Sequence, residues 1–331
     1  MRNFWLQATA LQGSVTPYII RHVIAFGLFA MVTQTLSRFL FKNFQFDLGI
    51  EANPFEIAGA VLGLLLIFRT NASYDRWWEA RKLWGGIVNQ SRNLAITGLS
   101  YGPADAGWRQ EFIKWIAVFP HISRTSLRSE PPCEKVVALV GPEEAKRIAE
   151  SNHMPSYVAY RMGLLLQEAL HDFNMDRFAF MQADQQRAQL IDHIGACERI
   201  LKTPPPLVYV IKIRRYIMLF LLAMPLALLH RLQSEWLIPL VTMGVAYPLL
   251  ALDQIGVELQ NPFAPRNLSH LPLDDISENI EKNVKALLTQ PGYQPGPKRS
   301  GQPENGNLQS GQPGQALPEP SHQDYVQAKY A

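Results

Sequence analysis

Ile57-Ala58-Gly59-Ala60-Val61-Leu62-Gly63-Leu64-Leu65-Leu66-Ile67-Phe68 runs directly into Arg69-Thr70-Asn71-Ala72-Ser73-Tyr74-Asp75-Arg76-Trp77-Trp78. The first part is uncharged and rich in Leu, Ala and Gly, and it ends abruptly on an arginine. A membrane-spanning helix needs roughly 20 residues, so this run reaches bilayer length only with its flanks. Three further stretches behave alike. Val23 to Ser37 lies between Arg21-His22 and Arg38, Tyr216 to Leu229 follows Lys212, Arg214 and Arg215, and Trp236 to Leu252 runs up to Asp253.

Two architectures accommodate four such runs: buried helices of a large soluble α protein, or transmembrane helices. The distribution of charge favours the second. The link between the first two stretches carries Lys42, Asp47 and Glu51, whereas Arg69, Arg76, Arg81, Lys82 and Arg92 follow the second, and Lys202, Lys212, Arg214 and Arg215 precede the third. Basic residues concentrate on the cytoplasmic side of a membrane. This predicts a multi-pass protein of the cell (inner or plasma) membrane, with residues 69–205 and both termini in the cytoplasm.

Composition agrees without deciding. An apolar content of 47% with a mean hydropathy of −0.05 is what an ordinary globular protein shows, and also what apolar spans averaged with polar helices and a polar tail would show. The net charge of +3 comes from interleaved acids and bases, so no basic stripe supports nucleic-acid binding. Only Cys133 and Cys197 are present, which argues against a disulfide framework. The N-terminal residues lack the apolar core and small-residue cleavage site of a secretory signal.

The chain divides into residues 1–68 with the first two spans, a helical region 69–205, two more spans within 206–260, a C-terminal segment 261–290 and a tail 291–331. In the middle region Leu190, Ile191, Ile194, Cys197, Ile200 and Leu201 recur at helical spacing. Pro103, Pro131-Pro132, Gly141-Pro142 and Pro155 predict shorter helices joined by turns, and Pro204-Pro205-Pro206 marks a break before the third span. The tail repeats Ser-Gly-Gln-Pro at 300–303 and 310–313. Its composition predicts disorder.

No catalytic constellation stands out, so an enzyme is not expected. The chain lacks His-Glu-x-x-His, a Walker loop, Gly-x-Gly-x-x-Gly and Gly-x-Ser-x-Gly. Glu168 and His171 form one Glu-x-x-His, but a di-iron bundle needs a second pair, and a solvated helix face explains this one. The remaining histidines have no metal-ligand spacing. Neither a metal nor a cofactor is expected.

What remains is the second span. Small residues let helices approach closely there, and Glu56, Ala60, Leu64 and Phe68 share one helical stripe. Such a stripe packs inside one subunit, or repeats around a symmetry axis as a water-excluding constriction. Spacing alone does not choose.

The segment from Arg69 through Asn71, Asp75, Arg76, Trp77 and Trp78 to Gly85 closely resembles the signature of bacterial bestrophins. Further likenesses lie at 195–200, 203–209 and 258–263, followed by Leu271-Pro272-Leu273-Asp274. The resemblance implies an all-α homopentamer around a central pore, with four membrane helices and a large helical cytosolic part per subunit. Its function would be to conduct small monovalent ions, anions such as chloride by family default. Its partners would be its own copies, the ions and the bilayer. By position the neck of the pore falls on Ala60, Leu64 and Phe68, with Glu56 at the outer mouth and a cytosolic aperture near Phe178.

Two departures accompany the likeness. Animal bestrophins bind calcium through an acidic run after Asn-Pro-Phe, but here Asn261-Pro262-Phe263 leads into Ala264-Pro265-Arg266, which lacks the carboxylates a hard cation wants. The first neck position is Ala60 rather than a bulky aliphatic residue. Glu56 leaves the sign of the ion open, since a carboxylate ring attracts cations whereas phenyl edges at Phe68 favour anions. Glu56 could equally serve the helix N-terminus after Pro54. The alternatives are a cation-selective channel of the bacterial type and a non-conducting membrane scaffold.

Overall fold

The computed structural model describes residues 5–6, 9–11, 13–232 and 234–290, and the tail from 291, with its expected disorder, lies outside them. Among the described residues every regular element is helical. The α-helices in chain order are α1 (Thr16–Phe44), α2 (Asn53–Tyr101), α3 (Ala106–Arg128), α4 (Glu134–Val140), α5 (Pro142–Glu150), α6 (Met154–His171), α7 (Arg177–Lys202), α8 (Leu207–Leu228), α9 (Ile238–Glu258) and α10 (Leu273–Ala286), with short 3-10 turns at Glu235–Leu237 and Leu287–Thr289.

The helices stop where the sequence supplies stops. Pro131-Pro132 occupies the link after α3, Gly141 turns at φ +85° between α4 and α5, and Pro204–Pro206 separates α7 from α8. Two starts are capped by carboxylates: Asp105 accepts from Trp108 N at 2.7 Å, and Asp176 from Phe178 N and Ala179 N at 2.9 and 3.1 Å. The division at 68/69 lies within α2, a single helix of 49 residues. Neither Gly nor Pro occurs from Leu64 to Trp84. The switch from apolar to charged side chains changes what surrounds the helix without interrupting its backbone hydrogen bonds.

Two apolar cores form around the two halves of α2. Leu62 and Leu66 from its first half are buried against Ile213, Ile217, Leu221 and Met224 of α8 and Ala246 of α9. Beside them α1 crosses α9 closely at Gly27, where a Cβ would lie 2.6 Å from Met243 Cγ and Sδ. The second half of α2 contributes Ala80, Trp84, Ile87 and Leu94 to a larger core with Phe112, Trp115 and Phe119 of α3, Met162 of α6, Leu190 of α7 and Ile280 of α10. Burying each large side chain there stabilises the fold by about 1.5–3 kcal/mol.

Ion pairs fasten α10 to this larger core. Arg128 Nη1 donates to Asp274 Oδ2 at 2.9 Å and Arg124 pairs with Oδ1. Burial alone would raise the Asp274 pKa, but the two guanidinium groups outweigh it and hold the carboxyl below the ordinary range. His121 is 1% exposed, with Nε2 2.8 Å from Glu281 Oε2. Burial lowers its pKa although Glu281 opposes the shift. The Cys197 thiol is pushed up to about 12 by burial, which leaves it a packing group rather than a nucleophile.

The long apolar helices are unlike those of a soluble core. Three helices, α1, α2 and α9, are long and apolar enough to cross a membrane, yet only 33%, 17% and 22% of their most apolar windows are buried. Helices of a soluble protein would hide those faces. The third expected span corresponds to α8, where Lys212, Arg214 and Arg215 occupy the first half and leave a short apolar remainder.

Candidate functional site

The stripe on α2 is resolved by which residues pack. Leu62 and Leu66 face α8 and are fully buried, and Ala58 O accepts a hydrogen bond from Tyr216 Oη at 3.2 Å. Gly59 faces α8 as well, since a Cβ there would lie 3.2 Å from Phe220 Cζ. Glu56, Ala60, Leu64 and Phe68 point elsewhere, with Leu64 and Phe68 exposed by 52% and 57%. Packing within one chain therefore uses the face of Leu62 and Leu66, and Leu64 and Phe68 of the stripe are left largely exposed.

Below the stripe, the 69–78 segment fastens α2 to four other parts of the chain. Arg69 is 3% exposed and pairs with Asp253 of α9, whose second oxygen accepts from Arg214 Nε of α8 at 3.0 Å. A buried guanidinium needs such a partner, because an isolated charge in a dry interior costs several kcal/mol. Arg76 donates Nε to Gln260 O at 2.8 Å and Nη1 to Thr203 O at 2.7 Å, spanning the end of α9 and the break before α8. Trp77 Nε1 donates to Ser269 O at 2.6 Å. Tyr74, Trp77 and Trp78 stack with centroids 6.1–6.5 Å apart. Asn71 and Asp75 are exposed. Arg69, Arg76 and Trp77 thus hold the helix bearing the stripe in one orientation.

Residues 1–286 match the family described as Bacterial/Fungal Bestrophin protein. The chain belongs to the bestrophin family. Among similar relatives, the voltage-dependent anion channel-forming protein sll1024 of Synechocystis sp. is 32% identical over 286 residues, 85% of this chain and 91% of that protein. The voltage-dependent anion channel-forming protein alr2987 of Nostoc sp. is 32% identical over 293 residues, 87% of this chain and 93% of its own length. The crystal structure of a bacterial bestrophin homolog from Klebsiella pneumoniae shares the fold at a TM-score of 0.75 and 24% identity, covering 82% of this chain and 99% of that one. Bestrophin membership and the three long, outward-facing apolar helices make this a membrane protein.

Other positions singled out in the sequence are distributed around this bestrophin fold. Phe178 stands in the first turn of α7 and is 81% exposed. Glu168 and His171 are both exposed on α6. The loop after Asn261-Pro262-Phe263 is closed by side-chain hydrogen bonds: Asn267 Nδ2 donates to Glu258 O and Asn261 O at 3.2 and 3.0 Å, and Glu258 Oε2 accepts from Leu268 N at 2.8 Å. Among the described residues no group of three or more His, Cys, Asp or Glu is arranged to hold a metal ion.

Glu56 is the acidic residue of the first turn of α2, where a carboxylate is stabilised by the helix N-terminus, and the N-cap residue itself, Ala52, has no capping side chain. Its carboxylate also meets Arg231, with Nη2 3.5 Å from Oε1. Sequence reasoning missed Arg231 and the Asp253 hub. Asp253 entered only as the charge that ends an apolar run. A lone carboxylate at the end of a membrane helix is itself a signal, since it demands a cationic partner.

Proposed function

We propose that this protein is a passive channel for small monovalent anions, chloride among them, assembled as a homopentamer around an axis lined by the α2 stripe. The observation that carries the proposal is the outward exposure of Ala60, Leu64 and Phe68 opposite the buried face of Leu62 and Leu66. A bestrophin relative named as a voltage-dependent anion channel-forming protein supports the choice of ion. Copies arranged around an axis would turn the stripe into stacked apolar rings, a constriction that water leaves readily and that opens by small movements. Ala60 makes the outermost ring the widest. Phe68 makes the innermost the narrowest, and its phenyl edges present partial positive charge to an anion.

In this arrangement α1, α2, α8 and α9 cross the inner or plasma membrane, with both termini and the larger helical core in the cytosol. The basic residues around Arg69, Arg76 and Arg214 then lie on the cytosolic side, as the charge rule requires. Phe178, exposed on α7, lines a second aperture in the cytosolic part. Mass measurement of the purified protein in detergent is expected to give five copies. Planar-bilayer recording in asymmetric KCl is expected to reverse toward the chloride potential. Reversal toward the potassium potential would establish a cation channel instead, and a monomer that stays silent would leave the protein a scaffold.

A further inference from the structure

Two consecutive residues just beyond α8, His230 and Arg231, reach the link between α1 and α2 and the first turn of α2 respectively. His230 Nε2 lies 2.7 Å from Asp47 Oδ2, and Asp47 Oδ1 accepts from Gly49 N at 2.8 Å. Gly49 allows this approach, because a Cβ there would lie 2.2 Å from His230 Nε2. Ile50 N donates to Leu226 O at 3.3 Å, so the link is also tied to α8 through its backbone. With His230 held, the next residue is set beside the first turn of α2, where Arg231 Nη2 comes 3.5 Å from Glu56 Oε1.

Both side chains of that pair are 65% exposed, so the contact adds little to stability. Its consequence is electrostatic. Glu56 lies on the stripe that ends in Leu64 and Phe68, at the outer end. An unpaired carboxylate repeated around an axis would gather cations and repel anions before they reach the apolar rings. A guanidinium beside each carboxylate cancels that field.

We propose that Arg231 is a specificity-determining residue: it compensates Glu56 at the outer mouth and so keeps the entrance open to anions. The inference rests on the channel reading given above and adds a residue and a sign to it. A unit charge met at about 4 Å in water changes an equilibrium on the order of fivefold, which sets the scale of the expected effect.

The test is planar-bilayer recording of the purified full chain in asymmetric KCl. Arg231→Gln is expected to lower the chloride-to-potassium permeability ratio by about fivefold, and Glu56→Gln to raise it by a similar factor. The double variant should return to within about twofold of the wild-type value, and Arg231→Lys should restore the ratio by keeping the charge. The shifts should shrink toward molar salt, where the screening length falls to about 3 Å. Wild-type current with a ratio unmoved by Arg231→Gln would overturn the inference and leave the channel reading standing. A double variant that behaves like Arg231→Gln alone would overturn the compensation. A wild-type protein without current would overturn both.

Discussion

The two halves of α2 live in different surroundings. From Trp77 onward the helix is wrapped on several sides, and Trp84, Ile87 and Leu94 are sealed among α3, α7 and α10. Before Arg69 it buries one narrow face, Leu62 and Leu66, and leaves Ile57, Val61, Leu64, Ile67 and Phe68 outside. The wrapped half buries most of its apolar residues within one chain, with Trp78, Ile96 and Tyr101 left exposed. The upper half does not, and its remaining surface matches lipid and further copies of the chain better than water. The same kind of side chain therefore has two roles along one helix, holding the fold at some positions and left free for the proposed pathway at others.

The sharpest way to break this comparison is at the joint between the halves. Asp253→Asn leaves Arg69 buried without a carboxylate and is expected to cost about 3–5 kcal/mol, seen as loss of folded protein in detergent. A normal yield and melting temperature would mean that the upper half does not depend on this hub.

A matched pair of alanine substitutions sharpens it further. Leu62→Ala empties a fully buried site and is expected to cost about 2–5 kcal/mol. Leu64→Ala, two positions on, is expected to stay within about 0.5 kcal/mol while changing single-channel conductance. Equal destabilisation by the two, measured by thermal unfolding, would show that the stripe packs inside the chain after all.

Acid distinguishes the halves more gently. Folding lowers the pKa of His121 and also those of Asp274 and Glu281. For each group the unfolded chain binds more protons in the affected range, so stability rises with pH. The histidine contribution is present above the ordinary imidazole value of about 6.5 and is lost as pH falls below it; the carboxylate contributions follow below about 4.5. A melting temperature for the larger core that drops by a few degrees from about pH 7 to about pH 5 is expected. His121→Gln should blunt that first loss.

Much of this was legible in the residue order, for identifiable reasons. Pro131-Pro132, Gly141-Pro142 and Pro204–Pro206 act locally on the backbone, so the breaks they signal coincide with the ends of α3, α4 and α7. The expected four runs correspond to α1, α2, α8 and α9, because uncharged length is a local property. Two things were not legible. That the helix carrying the apolar run continues unbroken to Tyr101 is a property of the backbone, which the change in side-chain polarity at 68/69 does not report. The pairs Arg69–Asp253 and Arg231–Glu56 join residues 184 and 175 positions apart, a separation that no periodicity or flank rule reports. Glu56 consequently read as a bare carboxylate at the mouth, when it has a cation beside it.

The central claim is that Leu64 and Phe68 line the ion pathway rather than pack within the chain. Single-channel recording of the purified wild-type protein beside a Leu64→Ala, Phe68→Ala double variant tests it most directly. A larger unitary conductance in the variant, at an unchanged number of copies per assembly in detergent, is the result the account predicts. Identical conductance in a correctly assembled variant would contradict it.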